Sequence, residues 1–249
     1  MKTIILIHGL RGTHHGLLEI ADNLSHKYKV ITPDIPGSGA RAELDNKTMD
    51  GYIEWLHGYI QSLNLKQKPY IIGHSMGSMI VSHYLGKYHN QVQQKTILLS
   101  PIFRTKTKQC FDSLCQKILN FFLHLLPKGA RTKLLRSKMV SYCISHYLTF
   151  NKSKQKQIDQ LHYRYSGRFA SADSIMADIK ISMQMQTIIP PNNKVLCIIG
   201  DKDKMTSLPL AHDYANKENV ELRIVPNSGH LINYEEPQKV AKIIENFIK

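Results

Sequence analysis

Six short apolar runs, each stopped by a turn-rich loop, constrain this chain more than any other feature. They are Thr3-Ile4-Ile5-Leu6-Ile7, Lys29-Val30-Ile31-Thr32, Tyr70-Ile71-Ile72, Thr96-Ile97-Leu98-Leu99-Ser100, Lys194 to Gly200 and Val220 to Val225. Most are continuously apolar rather than alternating, as expected of strands buried on both faces. Between them the apolar residues recur at helical spacing. Examples are Leu17, Ile20, Ala21 and Leu24, where Thr13 is placed to cap, then Tyr52, Ile53, Leu56 and Ile60 within 48–63, and the stretch from Pro237 to Ile248. Strand and helix in alternation predict an α/β fold, a mostly parallel doubly wound sheet with helices on both faces. Ligands of such sheets bind beyond the carboxyl ends of the strands. His8, Asp34, Ser75, Asp203 and His230 all fall just past strand ends, so they are expected along one edge.

Between Ile102 and Pro190 the alternation stops and the charge changes. This segment holds 15 Lys/Arg against 4 Asp/Glu, while the rest of the chain holds 18 against 15, for a net charge of +14. The expected organisation is a core from residues 1–101 and 191–249, with 102–190 inserted as a helical cap or lid. Leu114, Ile118, Phe121, Phe122, Leu125 and Leu126 form one apolar stripe, broken at Pro127-Lys128-Gly129. Leu134, Leu135, Met139, Val140 and Ile144 suggest a second helix, and Ser174 to Ile189 a third. The stripes either pack on one another with the lysines solvated, or form a lid over an apolar group with a basic rim suited to an anionic membrane surface.

The third run leads into Gly73-His74-Ser75-Met76-Gly77 and then a helical stretch. A serine at the apex of a tight strand-to-helix turn, with glycine two residues to either side, is exposed above the sheet as a nucleophile requires. The same letters also suit a serine near an ordinary helix cap, so the context has to decide.

That context resembles the α/β-hydrolase fold family across both flanks of the insertion. His8-Gly9 follows the first strand. Asp34-Ile35-Pro36-Gly37-Ser38-Gly39 resembles the family's D-x-x-G-x-G loop, Gly73 to Gly77 its nucleophile elbow, Gly200-Asp201-Lys202-Asp203 its acid loop and Ser228-Gly229-His230 its terminal G-H. The order Ser, Asp, His is the one this fold uses. The resemblance implies Ser75 as nucleophile, His230 as base and Asp203 as the acid that orients it, with Asp201 as a rival. It implies backbone N–H groups of Leu10 and Met76 as the oxyanion hole. His8, Gly9 and His74 are expected to face substrate, and Phe121 and Phe122 to line or gate the pocket. The implied activity is hydrolysis of a carboxylic ester or thioester; the alternatives on the same fold are carbon–carbon bond hydrolysis and a non-catalytic small-molecule receptor.

Other classes find less support. The four cysteines show no C-x-x-C and no metal-like spacing, and no cofactor or metal is expected. No aromatic-basic RNA module accompanies the charge, so no nucleic-acid partner is expected. No run of about 18 apolar residues suggests a transmembrane helix. The first strand begins right after Met1-Lys2, so no signal peptide is expected. The cysteines, Cys110, Cys115, Cys143 and Cys197, are expected as free thiols in a cytoplasmic protein. The oligomeric state is left open.

Overall fold

The protein is described here by a computed structural model covering residues 1–165, 171–190, 192–218 and 220–249. Residue 191, where the sequence reading resumes the core, lies outside the described residues. The strands are β1 (Lys2–Ile7), β2 (Tyr28–Ile31), β3 (Tyr70–His74), β4 (Lys95–Leu99), β5 (Lys194–Gly200) and β6 (Glu221–Val225). They form one six-stranded sheet in the order β2-β1-β3-β4-β5-β6, with every neighbouring pair parallel. Register places Ile7 beside Gly73 and His74 beside Leu99, so β1, β3 and β4 end at nearly the same level. That shared end is where the loops after β1 and β3 meet.

The helices are α1 (Leu18–Leu24), α2 (Met49–Ser62), α3 (Met76–Tyr88), α4 (Lys106–His124), α5 (Lys128–Leu135), α6 (Lys138–Leu148), α7 (Gln155–Tyr165), α8 (Ala172–Gln184), α9 (Leu208–Glu218), α10 (Ile232–Glu235) and α11 (Pro237–Ile248). The period of two along a strand sorts the core. Ile5 and Ile7 point into one cluster with residues of α2, α3 and α9, and Ile4 and Leu6 into another with residues of α1 and α11. Each such buried aliphatic side chain contributes roughly 1.5–3 kcal/mol of transfer free energy. Covering both faces is why the strands read as unbroken apolar runs.

Helices α4 to α8 lie between β4 and β5 and carry a small core of their own, with Leu123, Leu135, Ala172, Ile175 and Met176 buried together. Polar ties join them to the sheet-bearing part. Tyr52 donates its hydroxyl to Asp178 Oδ1 at 2.5 Å, Lys47 donates to Asp178 Oδ2 at 2.8 Å, and the His230 amide donates to the Leu148 carbonyl at 2.8 Å.

Local readings change in three places. Thr13 makes no side-chain cap bond; its hydroxyl lies 3.3 Å from His15 Nδ1, and a 3-10 turn over His14–Leu17 precedes α1. The helix expected around Leu134 to Ile144 is two, α5 and α6, because Ser137 starts a new helix by accepting from the Val140 amide at 3.2 Å. Helix α7 buries only Gln155, Ile158 and His162 among its described residues, and just one of these is apolar, too sparse a stripe to stand out.

Candidate active site

The turn after β3 is as tight as its glycines imply. A Cβ on Gly73 would run into the Gly77 carbonyl, and one on Gly77 into the carbonyls of Ile7 and His8. Only glycine lets α3 leave so close to the ends of β3 and β1. Ser75 sits at φ 53°, ψ −118°, a strained backbone for a residue with a side chain. Its amide donates to the Leu99 carbonyl at 2.9 Å, and its carbonyl accepts from the Ser78 hydroxyl at 2.5 Å, so both ends of the strained unit are held.

Ser75 Oγ lies 2.8 Å from His230 Nε2, and His230 Nδ1 lies 2.9 Å from Asp203 Oδ2. All three residues are buried. With Nδ1–H donating to the carboxylate, Nε2 is left as the acceptor for the serine proton. Burial pushes the Asp203 carboxyl up, but the His230 ring and the amides of Met205 and Thr206 outweigh it, and the group titrates below its usual range. Those amides reach Oδ1 at 2.7 and 3.2 Å. Asp201 lies elsewhere: its Oδ1 accepts from the Ser228 amide at 3.2 Å, shaping the loop that carries His230.

The loop after β1 presses against the serine, since a Cβ on Gly9 would come within 2.9 Å of the Ser75 Cβ. Neither the Leu10 nor the Met76 backbone N–H has an acceptor among the described residues. His8 is buried and lines the same cavity, but both ring nitrogens are engaged. Nε2 accepts from the Ile35 amide at 3.0 Å, which leaves Nδ1–H to donate to the Gly9 carbonyl at 2.9 Å. His8 therefore shapes the loop. Burial holds its pKa below the ordinary value. His74 donates from Nε2 to the His230 carbonyl at 3.1 Å. Burial, followed by the nearby His230 charge, lowers its pKa to about 3, so it is a neutral prop under the His230 loop.

Ser75, His230, Gly9 and Leu10 face a cavity of about 560 Å³ with largely apolar walls. Its far side comes from α4 to α8, including Leu119, Leu123, Leu135 and Val140. Phe121 and Phe122 do not line it: they are 64% and 61% exposed. Helical phase explains the difference. Leu119 and Leu123 are four apart and share the inward face of α4, whereas Phe121 lies on the opposite side and Phe122 roughly a quarter-turn off that face.

Sequence reasoning passed over Glu235, which is fully buried on α10. It accepts from the amides of Gly229 at 2.9 Å, Phe150 at 3.0 Å and Asn151 at 2.6 Å, tying the His230 loop to the chain after α6. The only sequence signal is an acid five residues beyond a motif histidine. Asp34, just past β2, accepts from the His14 amide at 2.7 Å and so ties its loop to the turn before α1. No cluster of metal-ligating side chains occurs among the described residues.

The family model for the alpha/beta hydrolase fold matches residues 2–237. Human monoacylglycerol lipase ABHD6 is 23% identical over 257 residues, covering 99% of this chain and 75% of its own. The uncharacterized hydrolase YugF of Bacillus subtilis is 22% identical over 256 residues, covering 100% and 90%. Among solved structures, a thermophilic esterase from Thermogutta terrifontis superposes with a TM-score of 0.76 at 16% identity, covering 100% of this chain and 89% of that one. An esterase from Exiguobacterium antarcticum gives 0.74 at 16% identity, covering 100% and 92%.

Proposed function

We propose that this chain, which belongs to the alpha/beta hydrolase fold family, is a serine hydrolase that cleaves a carboxylic ester or thioester through an acyl-enzyme on Ser75. The observation that carries this reading is the continuous hydrogen-bonded line from Ser75 Oγ through His230 to Asp203, at 2.8 and 2.9 Å, opening onto an apolar cavity. Relatives named as a monoacylglycerol lipase and esterases agree with that chemistry.

His230 Nε2 takes the Ser75 proton as Oγ attacks the acyl carbon. The carbonyl oxygen becomes an oxyanion and is met by the Leu10 and Met76 N–H groups, each typically worth a few kcal/mol. Collapse expels the alkoxide or thiolate, which leaves with the proton held on His230. Water then gives a proton to His230 and attacks the acyl-serine, and the acid departs as Ser75 regains its proton. Asp203 keeps the imidazole in its productive tautomer and stabilises the cation formed at each step. Residues 102–190 act as the cap that covers the acyl group.

The outward face of α4 supports a second element of the proposal, contact with an anionic membrane surface. Phe111, Leu114, Ile118, Phe121, Phe122 and Leu125 recur at three- and four-residue spacing and are 49–66% exposed. Exposed lysines, among them Lys117, Lys128, Lys133 and Lys138, are on and next to this helix. Such a face suits shallow insertion rather than spanning, and no helix among the described residues is long and apolar enough to cross a membrane.

The reading is tested with p-nitrophenyl esters of graded chain length. Wild type should hydrolyse them and Ser75→Ala should lose at least about a thousandfold in kcat. Equal rates in the two proteins would overturn it. In vesicle co-sedimentation, binding should rise with anionic lipid and fall in Phe121→Asp/Phe122→Asp; equal binding to neutral and anionic vesicles would remove the basic surface from the account.

A further inference from the structure

We infer that Arg11 forms, within the catalytic cavity, a subsite for a carboxylate, so that the preferred substrate is an acidic ester such as a half-ester of a dicarboxylic acid. This deepens the proposed function and rests on it.

Three arginines are buried among the described residues, and two of them have an aspartate. Arg104 meets Asp112 at 2.8 Å, and Arg131 lies 3.5 Å from Asp173. Arg11 is as buried as they are, at 6% exposure, yet it has no carboxylate partner among the described residues, which include every Asp and Glu of the chain. Its partners are neutral: the Leu135 carbonyl accepts at 2.8 Å and the Ser141 hydroxyl lies 3.5 Å away, while Nε has none. A guanidinium carries five N–H donors, so donors remain for a ligand.

The position points the same way. Arg11 lines the cavity that holds Ser75 and is the only Lys, Arg, Asp or Glu lining it among the described residues. His162 lines it too, and its buried Nδ1 has no partner. Burial, and after it the Arg11 charge, lowers the His162 pKa to about 4, which leaves a neutral ring beside the cation. Burial lowers Arg11 only to about 10, so it stays charged at neutral pH. Backbone geometry adds a further mark. Gly12 N donates to Gly9 O at 3.0 Å, closing a turn whose third residue is Arg11 at φ 59°. Turns of that kind favour glycine there, yet this chain keeps a long cation.

An uncompensated buried charge is costly, and a ligand of opposite charge offsets that cost on binding. One guanidinium in otherwise apolar walls matches one negative charge. That favours a carboxylate, held through two parallel N–H donors, over a dianionic phosphate.

The test compares mono-p-nitrophenyl suberate with p-nitrophenyl octanoate, which differ by a carboxylate in place of a methyl. Wild type should show the higher kcat/KM for the acidic ester. That ratio should fall at least about tenfold in Arg11→Gln and less in Arg11→Lys, which keeps charge without the fork. A binding arm needs no turnover: monomethyl suberate should raise the Tm of Ser75→Ala more than methyl octanoate does, and Arg11→Gln in that background should abolish the difference. No wild-type preference for the acidic ester together with no Tm difference would overturn the subsite while leaving hydrolysis intact. An equal loss on both esters in Arg11→Gln would make Arg11 a strap between the β1 loop and α5. Failure of wild type to hydrolyse either ester would strike the hydrolase reading, and the Tm arm would still decide the subsite.

Discussion

Ser75, His230 and Asp203 were each legible as residues because each ends a strand in a motif with its own glycine. Asp203 and its rival Asp201 were harder to separate, being two positions apart; the backbone turns one toward His230 and the other toward the Ser228 amide. Asp203→Asn should retain the fold and lose about a thousandfold or more in kcat, since an amide can hold the ring in the wrong tautomer. A pH–rate profile adds the sign. Asp203 titrates below the ordinary carboxylate range, so it stays charged as pH falls toward 5. An acid-side loss of activity is therefore not the work of Asp203; the proposed base must be free to accept the Ser75 proton, and a profile flat to pH 4 would contradict His230 in that role. Arg11 and Glu235 escaped the sequence because neither belongs to a periodic pattern. Their roles arise from contacts 124 positions away in one case and 85 in the other.

Among the elements, strands were the easiest to read, since burial on both faces writes itself as unbroken apolar runs. The elbow was legible for the same reason that it is fragile. Gly77→Ala should prevent stable folding, because its Cβ meets the carbonyls of Ile7 and His8, which the sheet holds fixed; expression and a thermal melt would read this. The helices between β4 and β5 were legible as helices but not in orientation. An apolar stripe on α4 announces an amphipathic helix without saying which face meets the cavity, and the cavity takes Leu119 and Leu123 rather than the phenylalanines. The tie from α8 to α2 was invisible, since Lys47, Tyr52 and Asp178 are unremarkable in sequence. Asp178→Ala leaves the Lys47 ammonium and Tyr52 hydroxyl without their buried acceptor, and should cost about 3–5 kcal/mol by denaturant titration.

Across the whole molecule, buried neutral histidines make stability depend on pH. His8, His74 and His162 all have folded pKa values lowered first by burial, to about 3 for His74 and about 4 for His162. Their stabilising effect is complete above the unfolded value of about 6.5 and is lost as pH falls toward the folded values, because the unfolded chain takes up protons that the fold refuses. Urea midpoints should therefore fall steadily from pH 7 to 5. Asp178 and Glu235, raised by burial, act in the opposite sense: the fold gains stability as pH falls through their own range, which should flatten the slope there. The uneven charge belongs to this scale as well, with its basic excess carried on the segment that covers the cavity.

The most direct measurement of the central claim is covalent labelling with a fluorophosphonate, read by mass spectrometry of the digested protein. The account predicts one adduct, on the peptide that contains Ser75, absent in Ser75→Ala and strongly slowed in His230→Ala. An unlabelled wild type, or an adduct on another residue that survives Ser75→Ala, would contradict it.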